Sequence, residues 1–132
     1  MRKKNWIASL AAVIASAREK AFEWGQHDCC LFASDCAIAV CGVDPAEAYR
    51  GRYQTEIGAK RVLTRQHGSI EAAFDACFAR ISPSLAQRGD IVLIKSEMGM
   101  AAGVVWTTGI WSVSPQGTGP VELEPLVAWR VE

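Results

Sequence analysis

Trp24-Gly25-Gln26-His27-Asp28-Cys29-Cys30-Leu31-Phe32 is the stretch on which the reading of this chain turns. Asp28 stands where a helix N-cap belongs, because its carboxylate can accept bonds from the free N–H groups of a first turn. The helix that follows is predicted over about Cys29 to Val40, with Gly42 as its stop and Asp44-Pro45 beyond. Cys29, Phe32, Ala33, Cys36 and Val40 fall on one face, and apolar residues cover most of the others, which suits a buried central helix. Phe22 to His27 reads as a loop with aromatic anchors.

Working outward, the first half of the chain is helical and the second is strand-like. Ile7, Leu10, Val13, Ile14 and Ala17 recur at three- and four-residue spacing, predicting an amphipathic helix. Arg2-Lys3-Lys4 before that apolar stretch, and Ala15-Ser16-Ala17 after it, also fit a signal peptide over residues 1–17, which would make the protein secreted. The amphipathic helix is the preferred reading. No run of about 18 apolar residues occurs, so no membrane span is expected. Tyr49-Arg50-Gly51-Arg52-Tyr53 reads as an ordered loop. Thr55 to Arg65 predicts a short helix with Ile57, Val62 and Leu63 toward the core, broken at Gly68. Ser69 caps another, turning Ile70, Phe74, Cys77 and Phe78 inward, and Ser82-Pro83-Ser84 forms a loop. Strands are expected at Ile91–Ile94, Ala102–Trp106 and Ile110–Val113, and further ones at Val121–Leu123 and Leu126–Val131. Helices followed by strands indicate an α+β domain spanning residues 1–132, its N-terminal helices packed on a C-terminal antiparallel sheet.

Composition narrows the function classes. Half of the residues are hydrophobic and 21% are charged, the mix of an ordinary globular chain. Fourteen basic residues balance fourteen acidic ones, so the basic excess of a nucleic-acid binder is missing, and protein partners are favoured. Cys29, Cys30, Cys36, Cys41 and Cys77 are an odd number, and four of them crowd one helix, so they read as free thiols. Cys29 and Cys36 share one face while Cys30 and Cys41 share another, and no C-x-x-C pair is present. A four-thiolate zinc or iron–sulfur site is therefore not expected, nor any cofactor.

A cysteine in the first turn of a helix faces the positive end of the helix dipole, which favours the thiolate. Cys29 is thus a candidate nucleophile, although Asp28 opposes ionisation and a small buried cysteine is the plainer reading. His27 is a weak candidate for its base; a cap-loop histidine in a polar contact is the simpler assignment. His67, beside Gly68, reads as a solvated helix-end residue. Among the tryptophans of the strand-rich half, Trp106, Trp111 and Trp129, alternation would bury some and leave others for docking.

Trp24, Gly25, Asp28 and Cys29 before an apolar helix, with Gly89-Asp90-Ile91-Val92-Leu93 later, resemble the NlpC-like, papain-type cysteine peptidases. The chain also looks like a small phage-encoded family of that superfamily found among tail genes. The likeness runs from about Trp6 to Val131 and takes in Gly42-Val43-Asp44-Pro45 and Arg50-Gly51-Arg52-Tyr53. The resemblance implies a papain-like fold with Cys29 at the nucleophile position. It also implies a catalytic histidine opening the next strand, where this chain has Met100-Ala101-Ala102-Gly103, with Ala101 or Ala102 at the histidine's place. The expectation is a tail-tip or baseplate component of the virion, made in the host cytoplasm, with a degenerate hydrolase site and other tail proteins as partners. The alternative is an active cysteine endopeptidase acting on peptidoglycan.

Overall fold

The computed structural model describes residues 1–132. Four α-helices precede a six-stranded antiparallel sheet. The helices are α1 (Trp6–Arg18), α2 (Cys29–Cys41), α3 (Glu56–Gln66) and α4 (Ile70–Asp75). The strands are β1 (Ala79–Ile81), β2 (Ile91–Ser96), β3 (Gly99–Trp106), β4 (Gly109–Ser114), β5 (Gly117–Val121) and β6 (Val127–Arg130), in the order β1-β6-β2-β3-β4-β5.

The α2 helix begins where its cap residue requires. Asp28 is extended, and its carboxylate accepts the Leu31 N–H at 3.0 Å. Gly42 ends it in the left-handed conformation, φ 83°, which costs glycine nothing because it lacks Cβ. Between these ends Phe32, Ala33, Cys36, Ala37 and Val40 are fully buried. They meet Leu10, Ile14 and Ala17 of α1, Ile91 and Leu93 of β2, Ala102 and Val104 of β3, and Trp129 of β6 in the main core. The opposite sheet face holds a smaller cluster of Val92, Ile94 and Ala128. Ile91–Ile94 is buried throughout because both faces of this central strand are covered, and that is why it reads as a continuous apolar run.

Several local expectations need correction. Periodicity points Ile7 and Ile57 to the core, but they are 45% and 65% exposed. The apolar stripe of α1 is narrower than the sequence suggests, and α3 presents Val62 as its only buried residue. The strand expected at Val121–Leu123 lies earlier, at Gly117–Val121, and Pro120 sits there because β5 is an edge strand that can spare its missing N–H. Strand β1 and the 3₁₀ turn Pro83–Leu85 were not anticipated. On α4 and the turn after it Phe74 and Phe78 are buried as expected, whereas Ile70 and Cys77 are only partly so.

Asp90, at the entry to β2, fastens both ends of the chain. Its carboxylate is fully buried and accepts from Arg2 Nη2 (2.9 Å), Arg130 Nε (3.1 Å), Gln87 N (2.9 Å) and Val131 N (3.0 Å). A buried carboxylate with four donors is satisfied, so the Gly-Asp motif here is a structural lock.

Candidate functional site at the start of helix α2

The loop before α2 is set by two constraints. Gly25 has φ 83°, and a Cβ there would lie 2.0 Å from the Tyr53 carbonyl oxygen, so only glycine fits. Asp28 is 2% exposed and gathers the loop: besides Leu31 it accepts the Gly25 N–H at 3.1 Å and the Tyr53 hydroxyl at 2.5 Å. Three donors on one buried carboxylate leave it no role as a general base. They tie the Trp24–Asp28 loop, the Tyr49–Tyr53 loop and the helix start into one unit.

That unit delivers Cys29 to a cleft. Its thiol lines a groove of about 330 Å³ with Phe22, Trp24, Met100, Ala101 and the β4–β5 hairpin. It also lines an apolar slot of about 140 Å³ bounded by Leu31, Ala46, Tyr49, Leu63 and Phe74. Trp24, Met98 and Met100 border both, so Cys29 stands where the two spaces adjoin. The Cys30 sulfur lies 3.9 Å from that of Cys29. The Cys29 thiol is held below its ordinary pKa, chiefly by its side-chain hydrogen bond with Cys30. Burial opposes that shift, the backbone N–H of Ala102 supports it, and the Asp28 charge opposes it. The Cys30 thiol is correspondingly pushed up by its bond to Cys29 and by burial. Of the two thiols, Cys29 is the one that ionises more readily.

The two residues expected at the histidine's place lie at this cleft. Ala101 lines the groove, and the fully buried Ala102 follows it on β3, opposite Leu93. No histidine lines either space. His27 is 4% exposed and lies behind the groove wall: Nε2 pairs with Oγ1 of the groove-lining Thr118 at 3.0 Å, and the ring stands edge-on to Phe32 at 6.3 Å. Its Nδ1 is buried without a partner. Burial lowers its pKa and Lys20 lowers it further, against Asp35 and Asp28. The structure therefore places His27 beside Cys29 in sequence without joining the two by a hydrogen bond.

His67 departs from the solvated residue expected. It is part-buried, hydrogen-bonded through Nδ1 to the Tyr49 hydroxyl and stacked on that ring with centroids 5.6 Å apart. Sequence reasoning picked out the Tyr49–Tyr53 loop but not this pair, since nothing in a Gly-flanked histidine signals a partner 18 positions upstream. Tyr49 forms part of the slot wall, and Tyr53, its phenol pKa raised by burial and by Asp28, holds the cap. The ionisable groups at the slot's edge, Glu56 and Lys60, pair with each other at 3.2 Å. Of the tryptophans, Trp129 is buried and donates to Asp75, whereas Trp106 and Trp111 are partly exposed.

The family described as a domain of unknown function (DUF6950) matches residues 1–131, and the chain belongs to it. No curated protein and no solved structure matches the chain.

Proposed function

We propose that this protein is an NlpC-like, papain-type domain that serves as a structural or assembly component of a phage tail tip or baseplate, with a site that does not hydrolyse peptides. The observation that carries this reading is a cysteine at a helix start, lining a groove, with alanines where the general base would stand. Amide cleavage needs an acid for the departing amine, and loss of such a group typically removes about 10²–10⁴ in rate. The helix-on-sheet arrangement and the Cys29 position support the papain-like assignment; the tail location rests on the resemblance of the whole chain to tail-encoded relatives.

The partners under this reading are other tail proteins. Met98, Met100 and Leu123 are 51%, 42% and 40% exposed around the groove, an apolar rim suited to protein contact. Zero formal charge argues against a nucleic-acid partner. No helix is long and apolar enough to cross a membrane. The lowered Cys29 pKa favours a second reading, an active endopeptidase working on peptidoglycan with an unusual base. Affinity-tagged chain expressed during infection should co-purify with tail-hub proteins, and assembled tails should contain it by mass spectrometry. Complete, infectious tails lacking the chain would refute the structural role.

A further inference from the structure

The apolar slot beside Cys29 has no part in peptide cleavage as described above, and its dimensions suggest a specific guest. Apolar cavities of about 150 Å³ stay dry and accept benzene-sized molecules. The slot here is about 140 Å³, and fourteen of its nineteen lining residues are hydrophobic. Its charged lining includes the Glu56–Lys60 pair, already mutually satisfied, and the Asp28 carboxylate, already given three donors. A short hydrocarbon chain fits such a space, and Cys29 is one of the residues that line it.

We propose that Cys29 accepts a short acyl group from an acyl thioester, with the hydrocarbon chain housed in the slot between α2, α3 and α4. This inference does not depend on the tail location; it rests on the cleft. The Cys29 thiolate attacks the thioester carbonyl carbon, forming a new carbon–sulfur bond. The bond to the donor sulfur breaks, and the donor leaves as a thiolate that takes a proton from water. No electrons are gained or lost overall, and one thioester replaces another.

The chemistry suits a site without imidazole. A thiol of ordinary acidity, with pKa about 8.5, is a competent leaving group as its anion, whereas an amine has to be protonated as it departs. Thioester exchange therefore needs only an ionisable thiol and a place for the acyl chain, and Cys29 lines a slot that offers the second. The Cys30 sulfur, 3.9 Å away, is placed to stabilise charge on the Cys29 sulfur before attack, and acylation removes that charge. The resulting thioester would persist, because no imidazole at the cleft activates water against it.

The test uses the purified full chain with N-acetylcysteamine thioesters of acetate, hexanoate and palmitate, read by intact mass and peptide mapping. The expected result is one hexanoyl group on Cys29, transferred at least tenfold faster than acetyl or palmitoyl. Cys29→Ala should take none. Ala59→Phe, which fills the slot from a partly exposed position on α3, should remove the hexanoyl preference while acetyl transfer continues. Labelling spread over Cys41 and Cys77, equal rates for all three donors, or a hexanoyl preference unchanged in Ala59→Phe would each overturn the proposal. Peptidoglycan cleavage by the same preparation would bear on the non-hydrolytic reading and leave this outcome to be read separately.

Discussion

Replacing Asp28 tests the organisation of the cleft at its root. The carboxylate accepts from Leu31 N, Gly25 N and the Tyr53 hydroxyl, and it is 2% exposed. Asp28→Ala removes an N-cap, worth about 1 kcal/mol. It also leaves two buried donors without an acceptor, at about 1–3 kcal/mol each before relaxation. The expected loss is about 3–5 kcal/mol. For a chain of this length that lowers Tm by about 10–20 °C, measured by calorimetry or circular dichroism. Tyr53→Phe removes one of the same bonds, so the double variant should cost less than the two single losses together. Asp28→Asn separates stability from reactivity. The amide keeps an oxygen for the cap, but removes the charge that opposes the Cys29 thiolate. Iodoacetamide should then alkylate Cys29 faster near neutral pH than in the wild type. An Asp28→Ala chain within 1 kcal/mol of wild type, or slower alkylation in Asp28→Asn, would refute this account of the helix start.

Two further outcomes follow from buried groups. Phe32 is fully buried in the main core, so Phe32→Ala should cost about 3–5 kcal/mol in denaturant unfolding; an unchanged midpoint would remove α2 from the centre of the fold. His27 is buried with its pKa lowered from 6.5, so the unfolded chain binds its proton at a higher pH than the folded one. Its contribution is fully present above pH 6.5 and is lost as pH falls through the lower, folded value. Unfolding midpoints measured between pH 7.5 and 5 should therefore fall, and His27→Gln should flatten that part of the profile; an unaltered slope would count against the burial of this imidazole.

The parts of the fold legible in the sequence are those with a local physical cause. Asp28 and Gly42 mark α2 to within a residue, because a cap and a left-handed stop depend on their own side chains or lack of them. The continuous run Ile91–Ile94 announces a central strand, since covering both sheet faces leaves no polar alternation. What escaped the sequence depends on distant packing. Strand β1 has three residues, two of them exposed, and exists because β6 offers it an edge. Ile57 follows the helical period of α3 yet faces outward, because α3 meets the rest of the protein along a narrow line. At the site, Cys29 was legible from its helix-start position, and the alanines of β3 from their place after Gly99. The partners that shape the cleft were not: the Tyr53 hydroxyl is 25 positions from Asp28, and Thr118 is 91 from His27. The slot beside Cys29 is likewise assembled from α2, α3, α4 and the loop at Ala46, with no motif to declare it.

The central claim is that this cleft holds an activated cysteine without the acid–base partner that peptide hydrolysis requires. Its most direct test is release of muropeptides from purified peptidoglycan by the wild-type chain, followed by mass spectrometry, beside Cys29→Ala and His27→Ala. The account predicts no release above background from any of the three. Cleavage by the wild type that disappears in Cys29→Ala would contradict it, and loss in His27→Ala as well would make that imidazole the base.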